Sequence, residues 1–150
     1  MTGRFYDDWK LGDRIVHTPR HMVTAEENRG FTLMTQNIQP LHLDAAYAAT
    51  TEFGQIVVNG LFTFSLMVGI SVRDTTLGTL IANLGYDKVA MPKPVFIGDT
   101  LRAETEVVAL RESQSRHGAG IVTFRHRCLN QREALVCDAF RTALIRKSGP

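Results

Sequence analysis

Twenty residues from Phe53 to Val72 pass without a formal charge, and the second half of that run is apolar on nearly every helical face. Leu61, Phe62, Phe64, Leu66, Met67, Val68, Ile70 and Val72 leave no polar stripe. The pattern predicts a helix, opening near Gly60, that other elements wrap. Gly54, Gln55, Asn59, Gly60 and Gly69 interrupt the run, so its continuous part is too short to span a bilayer. Downstream, four segments have β-type composition: Leu80 to Met91, Thr100 to Leu110, Gly120 to Leu129 and Ala134 to Ile145. Leu101, Ala103, Thr105 and Val107 alternate with Arg102, Glu104 and Glu106, the two-residue period of a strand with one solvated face. The segments are joined by Gly98-Asp99, Arg116-His117-Gly118 and Asn130-Gln131-Arg132-Glu133. Such short, turn-forming connections leave no room for crossover helices, so the strands are antiparallel. Near the start, Asp13 to Thr18 reads as a further strand. Thr24-Ala25-Glu26-Glu27 reads as a capping box opening a helix from about Ala25 to Thr35. Asp44 is an N-cap for a short helix through Ala49.

One apolar helix followed by such strands predicts an α+β architecture: a curled antiparallel sheet of about five strands wrapped around a central helix. The 150 residues, 44% hydrophobic, are enough for one domain over 1–150 and too few for two ordinary ones. Charge adds little: 17 basic residues, 13 of them arginine, face 15 acidic ones, a net of +2. There is no field to attract nucleic acid or a membrane surface. No basic run precedes an apolar stretch at the N-terminus, so the expected compartment is the cytoplasm. Cys128 and Cys137 read as free core thiols. With His17, His21, His117 and His126 they show no ligand spacing, and no metal is assigned.

Three segments carry chemistry, in order along the chain: Thr35-Gln36-Asn37-Ile38-Gln39-Pro40-Leu41-His42-Leu43-Asp44, then Val58-Asn59-Gly60, then Pro94-Val95-Phe96-Ile97-Gly98-Asp99-Thr100-Leu101. Together they resemble the MaoC-like hydratases, the (R)-specific enoyl-CoA hydratase group, over nearly the whole chain. The resemblance implies a hotdog fold, a sheet curled around a helix, paired into at least a homodimer. It implies a hydro-lyase acting on acyl-CoA thioesters, coenzyme A entering as part of the substrate and no further cofactor. The family pattern Gly-Asp-x-Asn-Pro-aliphatic-His is altered here: Gln36 stands at the glycine, Asn37 at the catalytic aspartate and Gln39 at the asparagine, while Asn59 replaces the histidine of a His-Gly pair. This amide-rich version is similar to the branch associated with mesaconyl-CoA-type and other branched or dicarboxylic enoyl-CoA substrates.

The residues make chemical sense of that resemblance. Adding water to an enoyl thioester needs a base, a proton source for Cα and a donor to the enolate oxygen. Histidine has the unperturbed pKa to take and return a proton near neutrality, and His42 is the candidate. A backbone amide at the start of the apolar helix, with its positive dipole end, suits the enolate, and glycine permits close approach. Gly60, preceded by Asn59, occupies that place. Asn37 can neither abstract nor deliver a proton, but its amide can orient water. Gln36 and Gln39 read first as turn residues, Asp44 as a cap, and Lys93, Arg111 and Arg116 as solvated cations that could also meet coenzyme A phosphates. Two alternatives stay open: a catalytically inactive acyl-CoA-binding or regulatory protein, and an acyl-CoA thioesterase, since fold does not fix function.

Overall fold

The computed structural model describes residues 3–149. A 3-10 turn at Tyr6–Asp8 precedes β1 (Arg14–Val16) and β2 (His21–Met22). Next come α1 (Ala25–Met34), α2 (Pro40–Leu43), α3 (Ala45–Ala49) and α4 (Gly60–Thr75). The strands β3 (Leu80–Ala90), β4 (Thr100–Glu112), β5 (Ala119–Leu129) and β6 (Leu135–Arg146) complete the chain.

Local chemistry sets the helix boundaries as expected. Thr24 Oγ1 accepts the Glu27 amide at 3.2 Å, while a Glu27 carboxylate oxygen accepts the Thr24 amide at 3.0 Å, a reciprocal capping box. Asp44 Oδ1 accepts from Ala46 and Tyr47 at 2.9 and 3.1 Å, so Asp44 is the cap of α3. The turn at Gly98 has φ +91°, a conformation glycine supplies without strain. It is locked by Asp99, whose Oδ2 accepts the Phe96 amide and whose Oδ1 accepts from Gln131.

The strands form one open antiparallel sheet in the order β1-β4-β5-β6-β3, with β2 also pairing with β4. The expected count of about five strands is met by that path, and the two-residue β2 makes six. Neither it nor the one-turn α2 was foreseen, because segments of two and four residues carry no readable period. On β4, Leu101, Ala103, Thr105 and Val107 point inward and their polar neighbours outward, as the alternation predicted.

α4 packs across β4, β5 and β6 and buries Thr63, Met67, Ile70, Ser71 and Thr75. The expectation of a helix wrapped on nearly every face needs correction within one chain. Leu61, Ser65, Gly69 and Arg73 form an exposed row, because the sheet curls under one side of α4 only.

The core has two apolar parts. Val23, Val58, Met67, Leu101, Ala103 and Val136 belong to one, and Trp9, Val107, Val122, Phe124 and Ile145 to the other. Between them runs a buried polar belt of His17, Thr105, His126 and Arg141. No helix among the described residues is long and apolar enough to cross a membrane.

Candidate functional site

A cavity of about 380 Å³ opens where the start of α4 meets the Met91–Pro94 segment. His42, Gly60, Phe53, Val58, Val95 and Val136 are among the residues that line it. Two of the candidate residues, His42 and Gly60, thus line one space, although 18 positions separate them in the chain.

His42 sits on α2, which Pro40 opens at a first-turn position where no amide hydrogen is needed. Its Nδ1 lies 2.6 Å from the Val57 carbonyl oxygen. A carbonyl can only accept, so Nδ1 carries the hydrogen and Nε2 is left with the lone pair of a base. The ring is thus oriented by the very segment that leads into α4. Val57 N also donates to Leu41 O at 3.2 Å, joining the two segments a second time.

Gly60 is the first residue of α4. Asn59 Oδ1 accepts the Leu61 amide at 3.0 Å, and the Asn59 carbonyl accepts from Thr63. Among the described residues the Gly60 amide finds no acceptor, the usual state of a first-turn N–H. It stands at the positive end of a 16-residue helix. A Cβ built on Gly60 would meet only the far end of the exposed Met91 side chain, which would have to shift, and the Gly60 backbone has no left-handed angle.

Asn59 caps the helix instead of facing the cavity, its side chain also donating to Thr32 Oγ1 at 3.3 Å. Asn37 is not among the lining residues. Its Oδ1 accepts the Gln39 amide at 3.0 Å, an Asx turn that leads into Pro40. Gln36 adopts φ +60°. The backbone there has the left-handed form that explains the glycine of the related pattern, and the chain adopts it without one.

Sequence reasoning missed Asn28 and Thr32. They are the two buried residues of α1, and both are polar. Asn28 Nδ2 donates to the His42 carbonyl at 3.0 Å, and Asn28 Oδ1 accepts the Asn59 amide at 2.9 Å. One side chain therefore bolts the backbone of the base to the backbone of the helix start. Their spacing of four on a capped helix was readable, but in most helices such a pair marks the solvated face.

Among the described residues no group of three or more His, Cys, Asp or Glu converges as a metal site would. Cys128 and Cys137 face each other in register on β5 and β6, buried and free. Burial pushes the Cys128 thiol up to about 12 and the Cys137 thiol up to about 11, so both stay protonated and non-nucleophilic near neutrality.

Comparison with known proteins gives this geometry its relatives. The MaoC-like domain model matches residues 9–126. A mesaconyl-CoA hydratase of Cereibacter sphaeroides is 35% identical over 145 residues, covering 97% of this chain and 42% of that protein. The chain thus spans about two fifths of that relative's length. A MaoC-like dehydratase from Rhodospirillum rubrum superposes with a TM-score of 0.84 at 30% identity, covering 99% of this chain and all of that one. A Mycobacterium tuberculosis protein with a double hotdog fold superposes with a TM-score of 0.87 at 26% identity, over 97% of this chain and 45% of that one. The sheet curled on α4 is accordingly a hotdog fold, and the chain belongs to the MaoC-like domain family.

Proposed function

We propose that the protein is a hydro-lyase that adds or removes water at the double bond of a small, branched or dicarboxylic enoyl-CoA thioester. One observation carries the reading. The Val57 carbonyl fixes His42 with Nε2 as its free base, in the same cavity as the unpaired Gly60 amide. In hydration, Nε2 removes a proton from water as the oxygen attacks the β-carbon. The double-bond electrons move onto the thioester oxygen, which the Gly60 amide holds as an enolate. The imidazolium then returns its proton to the α-carbon, completing a redox-neutral addition of one water. Asn37 stands outside the lining of this cavity, and a part in orienting that water would fall to its NH2 group, since its Oδ1 is held in the turn. The steps call for no cofactor, coenzyme A being part of the substrate.

The cavity volume suits a short acyl chain. Of the three cations considered for the coenzyme A phosphates, Lys93 lines the cavity, whereas Arg111 lies at the far end of β4 and Arg116 in the turn after it. Lys93 is the one assigned here. The reading carries with it a cytoplasmic homodimer. β3 is a sheet edge on which Leu84, Tyr86 and Val89 are exposed, and a second copy would cover it.

The test incubates the protein with straight, methyl-branched and dicarboxylic enoyl-CoAs, following the conjugated thioester absorbance and free thiol together. Loss of absorbance without thiol, reduced about 10²–10⁴-fold by His42→Ala in a folded protein, is the expected outcome. Thiol release would make it a thioesterase. Tight binding without either signal would make it an acyl-CoA-binding protein.

A further inference from the structure

The hydratase reading uses His42, Gly60 and Lys93, yet one more polar side chain lines the cavity. Thr63 lies one helical turn beyond Gly60 on α4, is 1% exposed, and its hydroxyl has no hydrogen-bond partner among the described residues. Two other hydroxyls on the same helix show what an ordinary buried hydroxyl does. Ser71 Oγ donates to Val68 O at 2.6 Å, and Thr75 Oγ1 donates to Ser71 O at 2.7 Å. Both are turned onto helix carbonyls. Thr63 is not, although the Asn59 carbonyl one turn back is present and receives its amide. The other unpartnered side-chain atoms, on Trp9, Thr79, His126 and Arg141, belong to residues that do not line the cavity.

An unpaired hydroxyl in an apolar wall is costly when nothing meets it, and valine would fill the same space without that cost. Apart from His42 and Lys93, the side chains around Thr63 in this cavity are hydrocarbon or thioether, Phe53, Val58, Met91, Val95 and Val136 among them. His42 serves the reacting carbons and Lys93 is exposed. A purely hydrocarbon acyl group would leave Thr63 unsatisfied in the complex as well.

We infer that Thr63 is a specificity-determining residue, whose hydroxyl hydrogen-bonds an oxygen substituent, carboxylate or hydroxyl, carried by the acyl chain beyond its thioester. This rests on the acyl-CoA reading of the cavity. It adds a requirement that His42 and Gly60 do not impose, because both act on atoms common to every enoyl thioester.

The experiment compares the wild type with Thr63→Val on four substrates. Crotonyl-CoA and 2-methylcrotonyl-CoA have hydrocarbon acyl groups, mesaconyl-CoA adds a carboxylate, and 4-hydroxycrotonyl-CoA adds a hydroxyl. The expected result is a loss of about 10–100-fold in kcat/KM on one or both oxygen-bearing substrates. Turnover of the two hydrocarbon substrates should fall much less. Which of the oxygen-bearing pair responds identifies the substituent. An equal loss on all four, or none on any, overturns the inference. Thr63→Ser, which keeps the hydroxyl, should preserve the preference and Thr63→Ala should lose it, which decides the matter if the valine variant does not fold. Should the wild type hydrate none of them, the hydratase reading fails separately. Calorimetric binding of butyryl-CoA against methylsuccinyl-CoA to wild type and variants then reads the same preference. Equal binding of the two by the wild type overturns the inference.

Discussion

His42 is held at both its ends. Its ring donates to Val57 O, and its backbone carbonyl is gripped by Asn28, which also holds the amide of Asn59. The base and the helix-start donor are thereby fixed in one hydrogen-bonded loop, and their separation is what catalysis by positioning requires. Asn28→Leu would leave the His42 carbonyl and the Asn59 amide unpaired in the interior. It should lower kcat about 10–100-fold with KM nearly unchanged, since an ångström of misplacement is enough for such a loss. Asn28→Asp keeps the acceptor for Asn59 and loses the donor to His42, so its kcat should fall between the two. Steady-state kinetics alongside circular dichroism checks this, and a rise in KM at constant kcat would refute it. His42 and Gly60 were named from their places in a resembling pattern, and proton chemistry and close approach gave those residue types a reason. Asn28 was not, because an asparagine announces neither its burial nor its partners. Asn37 was named from its place in a pattern, and the turn that engages its oxygen belongs to the backbone of Gln39 and Pro40.

Among the elements, the long strands were legible nearly to the residue. Alternation on β4 is enforced by the inward Leu101 and Ala103 and by outward side chains such as Arg102 and Glu104, which pair with each other. α4 was legible as a helix but not as a half-covered one. A count of apolar residues does not say how many faces are covered, and the exposed row of Leu61, Ser65, Gly69 and Arg73 carries two polar side chains. Within one chain, Leu61 is 56% exposed on α4 and Leu84 is 52% exposed on β3. Phe64 of α4 packs edge-on against Tyr86 of β3, so the two half-covered elements are neighbours. An edge strand with exposed apolar side chains is a template for pairing, and a two-fold copy would close it. Light scattering should find a dimer of the wild type. Leu84→Lys should move it toward the monomer, with activity falling as the dimer is lost. A wild-type monomer with full activity would contradict both statements.

Across the whole molecule, the belt that divides the core sets a dependence of stability on pH. Asp74 Oδ2 accepts from His17 Nδ1 at 2.7 Å, His17 Nε2 meets Thr105 Oγ1 at 2.7 Å, and Thr105 Oγ1 meets His126 Nδ1 at 2.7 Å. One threonine hydroxyl has one hydrogen, so in the neutral chain it donates to His17 and accepts from His126. His126 Nε2 is then a bare lone pair, buried and without a partner. The groups facing this belt are Asp74 and Thr76 from the end of α4, Thr105 from β4, and Arg141 from β6, which stacks on Phe124 and donates to Thr76 Oγ1. Burial, then the Arg141 charge, then His17 hold His126 well below the ordinary histidine range. A proton on Nε2 would place a second cation beside a guanidinium in a dry interior. The native state therefore binds this proton more weakly than the unfolded chain does. Above a pH of about 6.5 His126 is neutral in both states and stability is fully present. As the pH falls below that value the unfolded chain takes up the proton first, and stability declines until the lowered native value is passed. Urea unfolding from pH 8 to pH 5 should show a falling midpoint for the wild type and a shallower fall for His126→Asn, which removes the titration. An unchanged slope in the variant would assign the acid sensitivity to groups other than His126.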